Sequence, residues 1–361
     1  MDASVLDYNL PEERIARFPA QKRDQSKLLV FNRKNAQITH AHFFDLPSFL
    51  NVPYNFFRND AAVLKGRIFA KKDTGANVEC LLLTPCGDSG LAWNCMLRPG
   101  KRLPKGSKFS VDGAFEAEVM QTGENGNNVV RFTLDSRFKS VIEMSEEIGV
   151  VPLPPYIRRN QNSPDYDRAF DNDRYETVYA DTHKRVAAAA PTAGLHFTPE
   201  LIQKLKASHD FFNLTLHVGI GTFQPLKTDQ IQDHKMHGEF YEIPVRTLEA
   251  MADTTRPRLA VGTTSLRAME DFWRKHRADD LDFSRPIADT ATLFVYPPQK
   301  IISAEAMITN FHLPRSTLMC LVASFLTPGD VSGIKLLKDI YAEAIREKYN
   351  FYSYGDAMLI L

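Results

Sequence analysis

Between residues 61 and 154 six short β-forming runs follow one another closely, at 63–70, 78–83, 92–97, 109–111, 115–121 and 129–134. Turns rich in Gly, Asn and Asp separate them, such as Gly123-Glu124-Asn125-Gly126. Many short strands at close spacing predict a small antiparallel barrel.

The flanking sequence has another rhythm. Pro11 followed by acidic residues predicts a short helix over 11–17, and Lys27-Leu28-Leu29-Val30-Phe31 a strand. The prolines of Pro152-Leu153-Pro154-Pro155 fix an extended return from the barrel, and 160–173 reads as a polar loop. Strand and helix then alternate. Helices are expected at 199–208 (capped by Thr198), 246–253, 266–276, 316–326 and 334–349. Strands are expected at 212–218, 240–243, 259–261, 292–296 and 307–309, and 357–361 is a final apolar run. The 316–326 helix is almost wholly apolar and therefore buried. This alternation predicts an α/β fold: a layered α/β domain (1–60 and 155–361) with an inserted small antiparallel β-barrel domain (61–154).

Length and charge narrow the function classes. A chain of 361 residues favours two domains. Lysines and arginines balance aspartates and glutamates, 44 to 44, so net charge does not point to nucleic acid, although a local basic face stays possible. No apolar run reaches the ~20 residues that span a bilayer, and the start has no basic-then-apolar signal pattern. A cytoplasmic protein with no membrane partner is expected. Cys80, Cys86, Cys95 and Cys320 form no Cys-x-x-Cys pair, which favours reduced thiols over disulfides or zinc.

Candidate chemistry concentrates between residues 187 and 239. His196, His217, His234 and His237 fall there among small and hydroxyl residues: Thr192, Gly194, Thr198, Gly219, Gly221 and Thr222. Histidine titrates near neutrality and moves protons; each one has the alternative of a satisfied structural role. His234-x-x-His237 with Glu239 resembles half of a metal site but matches no strong zinc spacing. Val261-Gly262-Thr263-Thr264-Ser265-Leu266-Arg267 reads as strand, hydroxyl loop and helix start. It either caps the helix or holds a phosphate or carboxylate. His312 follows Asn310-Phe311 at a loop mouth. Arg23-Asp24 is either a surface ion pair or a polar loop beside a site. Arg98, Lys101, Arg102, Lys105 and Lys108 form a basic run with no acid, either solvated or bound to phosphates.

Several longer stretches share one resemblance. They are Asp-Tyr-Asn-Leu-Pro-Glu-Glu-Arg-Ile-Ala from Asp7, Tyr-Glu-Thr-Val-Tyr-Ala from Tyr175, Ala-Pro-Thr-Ala-Gly-Leu-His-Phe-Thr from Ala190, and His-Val-Gly-Ile-Gly-Thr-Phe from His217. Further on come His-Lys-Met-His-Gly-Glu from His234, Val-Gly-Thr-Thr-Ser-Leu-Arg-Ala from Val261, Thr-Asn-Phe-His-Leu-Pro-Arg-Ser-Thr from Thr309 and Tyr-Gly-Asp-Ala-Met-Leu-Ile from Tyr354. Together they resemble the S-adenosylmethionine:tRNA ribosyltransferase-isomerase family over nearly the whole chain.

The resemblance implies an α/β domain with an inserted barrel. It implies transfer and isomerisation of the ribosyl part of S-adenosylmethionine onto preQ1 at the tRNA wobble position. Epoxyqueuosine-tRNA forms, and adenine and methionine leave. S-adenosylmethionine is then a consumed co-substrate, with no cofactor or metal required, and a monomer is expected. On this reading His196, His217 and His312 are the proton-transfer candidates, and His237 with Glu239 orients substrate. Thr263, Thr264, Ser265 and Arg267 hold an anionic group, the methionine carboxylate or a tRNA phosphate. Thr192, Gly194, Gly219, Gly221, Thr222 and Asn310 line the substrate, Asp356 reads a base edge, and the basic run contacts tRNA. The rival readings are a tRNA- or nucleotide-binding protein without turnover and a metal-dependent hydrolase using His234 and His237.

The chain departs from the family pattern in places. Ala61 and Ala62 stand where a threonine and an arginine are usual, and Glu176 where a glutamine is. Val186, Ala187 and Ala188 replace Gly-x-Val, and Pro298 replaces a glycine.

Overall fold

The computed structural model describes residues 1–123, 126–157, 159, 167–219, 226, 228–276 and 282–361. Its central layer is a nine-stranded sheet. The order is Ile287–Ala291, Glu239–Ile243, Asp210–Leu216, Asn55–Asn59, Arg258–Val261, Ala306–Asn310, Ala357–Ile360, Lys27–Asn32 and Gln37–His42. The four strands from Asp210–Leu216 to Ala306–Asn310 are mutually parallel. Antiparallel pairs flank them on both sides.

Both faces of this sheet are covered. Phe56 and Phe57, adjacent on the Asn55–Asn59 strand, enter different apolar clusters because successive side chains point to opposite faces. Phe57 packs with Leu266 and Phe272 of helix Gly262–Lys275, Val322 of Thr317–Leu326 and Tyr341 of Gly333–Arg346. Phe56 packs with Phe43 and with Leu201 of Pro199–Leu205. Each phenylalanine is wholly buried, so truncating either to alanine costs about 3–5 kcal/mol.

The inserted barrel is closed by Arg67–Lys71, Asn77–Cys86, Ala92–Arg98, Lys108–Val111, Phe115–Thr122 and Asn127–Leu134, with antiparallel pairing all round. Alternate residues point inward. Val78, Cys80 and Leu82 join Trp93, Phe109 and Phe132 in its own core, and Val141 and Met144 of helix Val141–Ile148 pack against that core. Where the chain enters the barrel, Ala61–Val63 pairs in parallel with the returning strand Asp181–Ala187.

Several elements differ from the sequence reading. The N-terminal turn is a 3-10 helix of Glu12–Arg14 alone. Residues 168–174, expected as loop, form the helix Arg168–Arg174, whose cap is the Asp167 carboxylate accepting from Phe170 N; 160–166 lie outside the described residues. The strand expected at 292–296 falls earlier, at Ile287–Ala291. Asn55–Asn59, at the middle of the sheet, carries no alternation because it is covered on both faces. The helix expected from 266 begins at Gly262. The hydroxyl "loop" is therefore the first helical turn. Gly262 has φ +90°, a left-handed conformation that glycine adopts without Cβ strain, and this lets the strand turn directly into the helix.

Candidate active site

The carboxyl ends of the central parallel strands surround a cavity open to solvent. Open α/β sheets bind ligands at such ends. Thr309, Asn310 and His312 enter from the end of Ala306–Asn310. Gly262, Thr263 and Thr264 enter from the first turn of the helix after Arg258–Val261, and Thr192 from the 3-10 turn Thr192–Gly194. Val218, Tyr156 and Tyr352 complete the wall.

The helix Gly262–Lys275 presents its amino terminus here, with no side-chain cap. Its first amide N–H groups are unpaired within the helix and carry partial positive charge. The Thr264 hydroxyl oxygen is buried and has no hydrogen-bond partner among the described residues, so it is available to a ligand.

His312 and His196 stand on opposite sides of Asn310 and differ in what is left open. The His312 backbone is fixed: its N–H donates to Tyr341 Oη at 3.0 Å, and its carbonyl accepts from Tyr8 Oη. Its ring Nε2 meets Thr309 Oγ1 at 3.0 Å. Its other ring nitrogen, Nδ1, has no hydrogen-bond partner among the described residues. Burial lowers the imidazole pKa to about 3, so it is neutral near pH 7.

His196 has both ring nitrogens occupied. Thr192 Oγ1 donates to Asn310 Oδ1 at 3.0 Å, and Asn310 Nδ2 donates to His196 Nε2 at 3.1 Å. His196 Nδ1 then donates to Ser26 Oγ at 2.7 Å, which passes its own proton to the Arg23 carbonyl at 3.2 Å. Burial, then the Arg23 charge, lower the pKa to about 3. His196 is a link in a chain of donors that orients Asn310.

The other expected residues part company with the cavity. His217 sits edge-on against the exposed Phe240 and does not line it; burial lowers its pKa. Along this stretch it is the neighbouring Val218 that lines the cavity. His237 is exposed. Arg267 is not an anion holder. Its guanidinium donates to the Glu239 carboxylate and to the carbonyls of His237, Ala291 and Leu293. Beginning the helix at Gly262 places Arg267 in its second turn, away from the unpaired amides. Glu239 also accepts from Gly219 N at 2.9 Å, so the pair fixes the chain where it leaves the sheet. Among the described residues no group of three His, Cys, Asp or Glu side chains is arranged for a metal ion.

Ser265 Oγ donates back to the Val261 carbonyl inside the helix. The Asp356 carboxylate accepts from Lys27 N and Asn350 N at 2.7 and 2.6 Å; burial raises its pKa. Gly194 is needed for packing, since a Cβ there would lie 2.0 Å from Tyr179 Oη. Gly221 and Thr222 lie outside the described residues. Arg98, Lys101, Arg102, Lys105 and Lys108 are all exposed on the barrel, and none forms an ion pair among the described residues.

The sequence is matched over residues 3–360 by the family model for queuosine biosynthesis proteins. The chain belongs to the queuosine biosynthesis protein family. Among family relatives, the S-adenosylmethionine:tRNA ribosyltransferase-isomerase of Thermotoga maritima is 40% identical, with all of both chains covered. That of Aliarcobacter butzleri is 39% identical over all of this chain and 99% of its own. The crystal structure of S-adenosylmethionine tRNA ribosyltransferase from Thermotoga maritima superposes with a TM-score of 0.53 at 31% identity, covering 99% of this chain and all of that one.

The positions that depart from the family pattern at 62 and 176 lie beside one charged pair. Arg185 stands on the returning strand in register with Ala62. Its guanidinium donates to the Val63 carbonyl at 3.2 Å and to Glu176 Oε1 at 3.3 Å, and Glu176 accepts from Val63 N. A guanidinium thus reaches this place from the neighbouring strand, with a carboxylate as its counter-ion. Sequence reading missed Arg185 because only the strand pairing brings it beside Ala62. It missed Thr309, Ser316, Tyr156 and Tyr352 because no local motif marks them as cavity residues.

Proposed function

We propose that this chain is an S-adenosylmethionine:tRNA ribosyltransferase-isomerase, acting on preQ1 at the wobble position and releasing adenine and methionine. The observation that carries the reading is the cavity at the parallel strand ends, which the His312 imidazole and the open amino terminus of a helix line together. It accompanies family membership across nearly the whole chain.

The reaction divides between these groups. The sulfonium acidifies the adjacent ribose carbon, and His312 Nδ1 is the base that takes its proton. The proton taken by His312 passes to the departing adenine, whose bond to the ribose breaks. Thr264 Oγ1 and the first amides of the Gly262 helix donate to oxygen or nitrogen atoms on which negative charge develops. Asn310, held from both sides by Thr192 and His196, positions the substrate. The basic run on the barrel holds the tRNA backbone. S-adenosylmethionine is consumed as co-substrate, and no cofactor enters the steps.

The test mixes the chelator-treated protein with S-adenosylmethionine and with tRNA that carries or lacks preQ1. Adenine is expected only with the modified tRNA, with a matching mass gain on the base. Tight tRNA binding without adenine would leave a binding protein in place of a transferase. Reversing Lys101, Lys105 and Lys108 to glutamate should weaken tRNA binding and lower its logarithmic salt slope by roughly 0.9 for each phosphate that the protein no longer neutralises.

A further inference from the structure

A second, much smaller recess adjoins the first. Ser353 lines both, and the His196–Asn310 hydrogen bond separates them, His196 facing the second and Asn310 the first. Arg23, Arg174 and Tyr354 line the second cavity.

The two guanidiniums are held without being neutralised. Arg23 donates to the carbonyls of Leu195 and Asp173 at 3.3 and 2.7 Å. Arg174 donates to those of Ala20 and Gln21 at 2.6 and 3.2 Å. Backbone carbonyls fix the planes of both groups and leave their charges in place. The nearby carboxylates are engaged or exposed. Asp171 is bound by Arg159 through contacts of 2.9–3.2 Å, and Glu176 pairs with Arg185. Asp173 reaches Arg23 only at 3.8 Å, with its side chain 77% exposed. Burial, and then the charge of Arg174, lower the pKa of Arg23, so the two cations strain against each other.

Two buried donors are open to a ligand. Tyr354 is only 5% exposed, and its hydroxyl has no hydrogen-bond partner among the described residues. Arg174 Nε is likewise buried and unpartnered among them. Buried donors without acceptors are rare and costly. An oxyanion between them satisfies both and offsets the repulsion, since guanidinium pairs bind carboxylates and phosphates through charge-assisted bonds.

We infer that Arg23, Arg174 and Tyr354 form the subsite for the carboxylate of the amino-acid end of S-adenosylmethionine. This rests on the reading under Proposed function and gives the carboxylate a site that Arg267, bound to Glu239, cannot provide. The sulfonium and ribose then occupy the larger cavity beside His312, and the amino-acid end passes Ser353 into the smaller one.

The test measures kcat/KM for adenine release at saturating preQ1-tRNA with two sulfonium compounds. One is S-adenosylmethionine; the other is its decarboxylated analogue, which keeps the nucleoside and sulfonium. The wild-type protein is expected to prefer the carboxylated compound by roughly 10- to 100-fold, the range of one or two charge-assisted bonds. Tyr354→Phe removes a hydroxyl that bonds to none of the described residues, so the fold is retained. It should lower kcat/KM for S-adenosylmethionine by roughly 10-fold and leave the analogue unchanged. Arg174→Gln should narrow the preference further. Variants that keep the wild-type preference, or lose both substrates equally, would overturn the subsite while adenine release by the wild type still upholds the transferase. A change confined to tRNA affinity in filter binding would assign the cations to an RNA phosphate and overturn it too. Absence of adenine from the wild-type protein would remove both readings together.

Discussion

Two histidine-rich stretches that look alike in sequence end in opposite conditions. Around Asn310, the segments Thr192–His196 and Thr309–His312 leave polar atoms facing a cavity. Around Glu239, His217 and His237 stand outside it, and the carboxylate is locked to Arg267 and Gly219 N. The residue types are the same; the difference is whether their hydrogen-bonding capacity is used up within the protein. A buried carboxylate facing a buried guanidinium becomes structural, because removing either leaves an uncompensated charge. A buried imidazole with one open nitrogen remains available for chemistry.

The comparison breaks most directly by exchanging the two losses. His312→Ala should lower adenine release by roughly 100- to 10,000-fold, the range for a general acid–base group, while moving the denaturation midpoint little. Arg267→Met should do the reverse. It should destabilise the protein by about 3–5 kcal/mol in urea titration, the cost of leaving a buried carboxylate unpaired, and the folded fraction should keep its KM for S-adenosylmethionine. A stable Arg267→Met protein with a raised KM would return Arg267 to the substrate.

Stability against pH gives the next largest effect. His196 and His312 both have folded pKa values near 3, below the ~6.5 of an exposed imidazole. The unfolded chain therefore binds more protons between those values, and the folded state loses stability as pH falls from about 6.5 towards 3. Melting temperature should drop over that interval, and His196→Gln should flatten the drop. A melting temperature level from pH 7 to 5 would show that the Asn310 side of the site is not buried as described.

Thr264→Val should give the smallest change. The hydroxyl has no partner among the described residues, so stability should hold or rise slightly. Adenine release should fall roughly 3- to 10-fold if the hydroxyl meets the substrate, the value of one hydrogen bond. Unchanged kinetics would limit the helix terminus to its backbone amides.

Much of the fold is legible in local pattern. The closely spaced runs between 67 and 134 alternate inward and outward along each strand, so they predict a barrel without reference to the rest. The hydroxyl-capped helices at Thr198 and Ser316 start where their caps place them. Asn55–Asn59 was not legible, since a short strand covered on both faces has no period to detect. The site was half legible. Thr192, Asn310 and His312 follow from motifs rich in small and polar residues, and the structure brings them to one cavity. Ser265 and Asp356 share such motifs yet bond to nearby backbone groups.

Local pattern along the chain is enough for the two kinds of architecture, the segments that carry polar chemistry and, through long motifs, the family. These depend on periodicity, turn chemistry and residue identity, which are properties of neighbours along the chain. It takes contacts across the fold to pair Arg267 with Glu239, to bring Arg185 beside residue 62 and to gather Arg23 and Arg174 near Tyr354. Those pairings join residues far apart in the chain, and a side chain's role follows from which partner reaches it first at bonding distance.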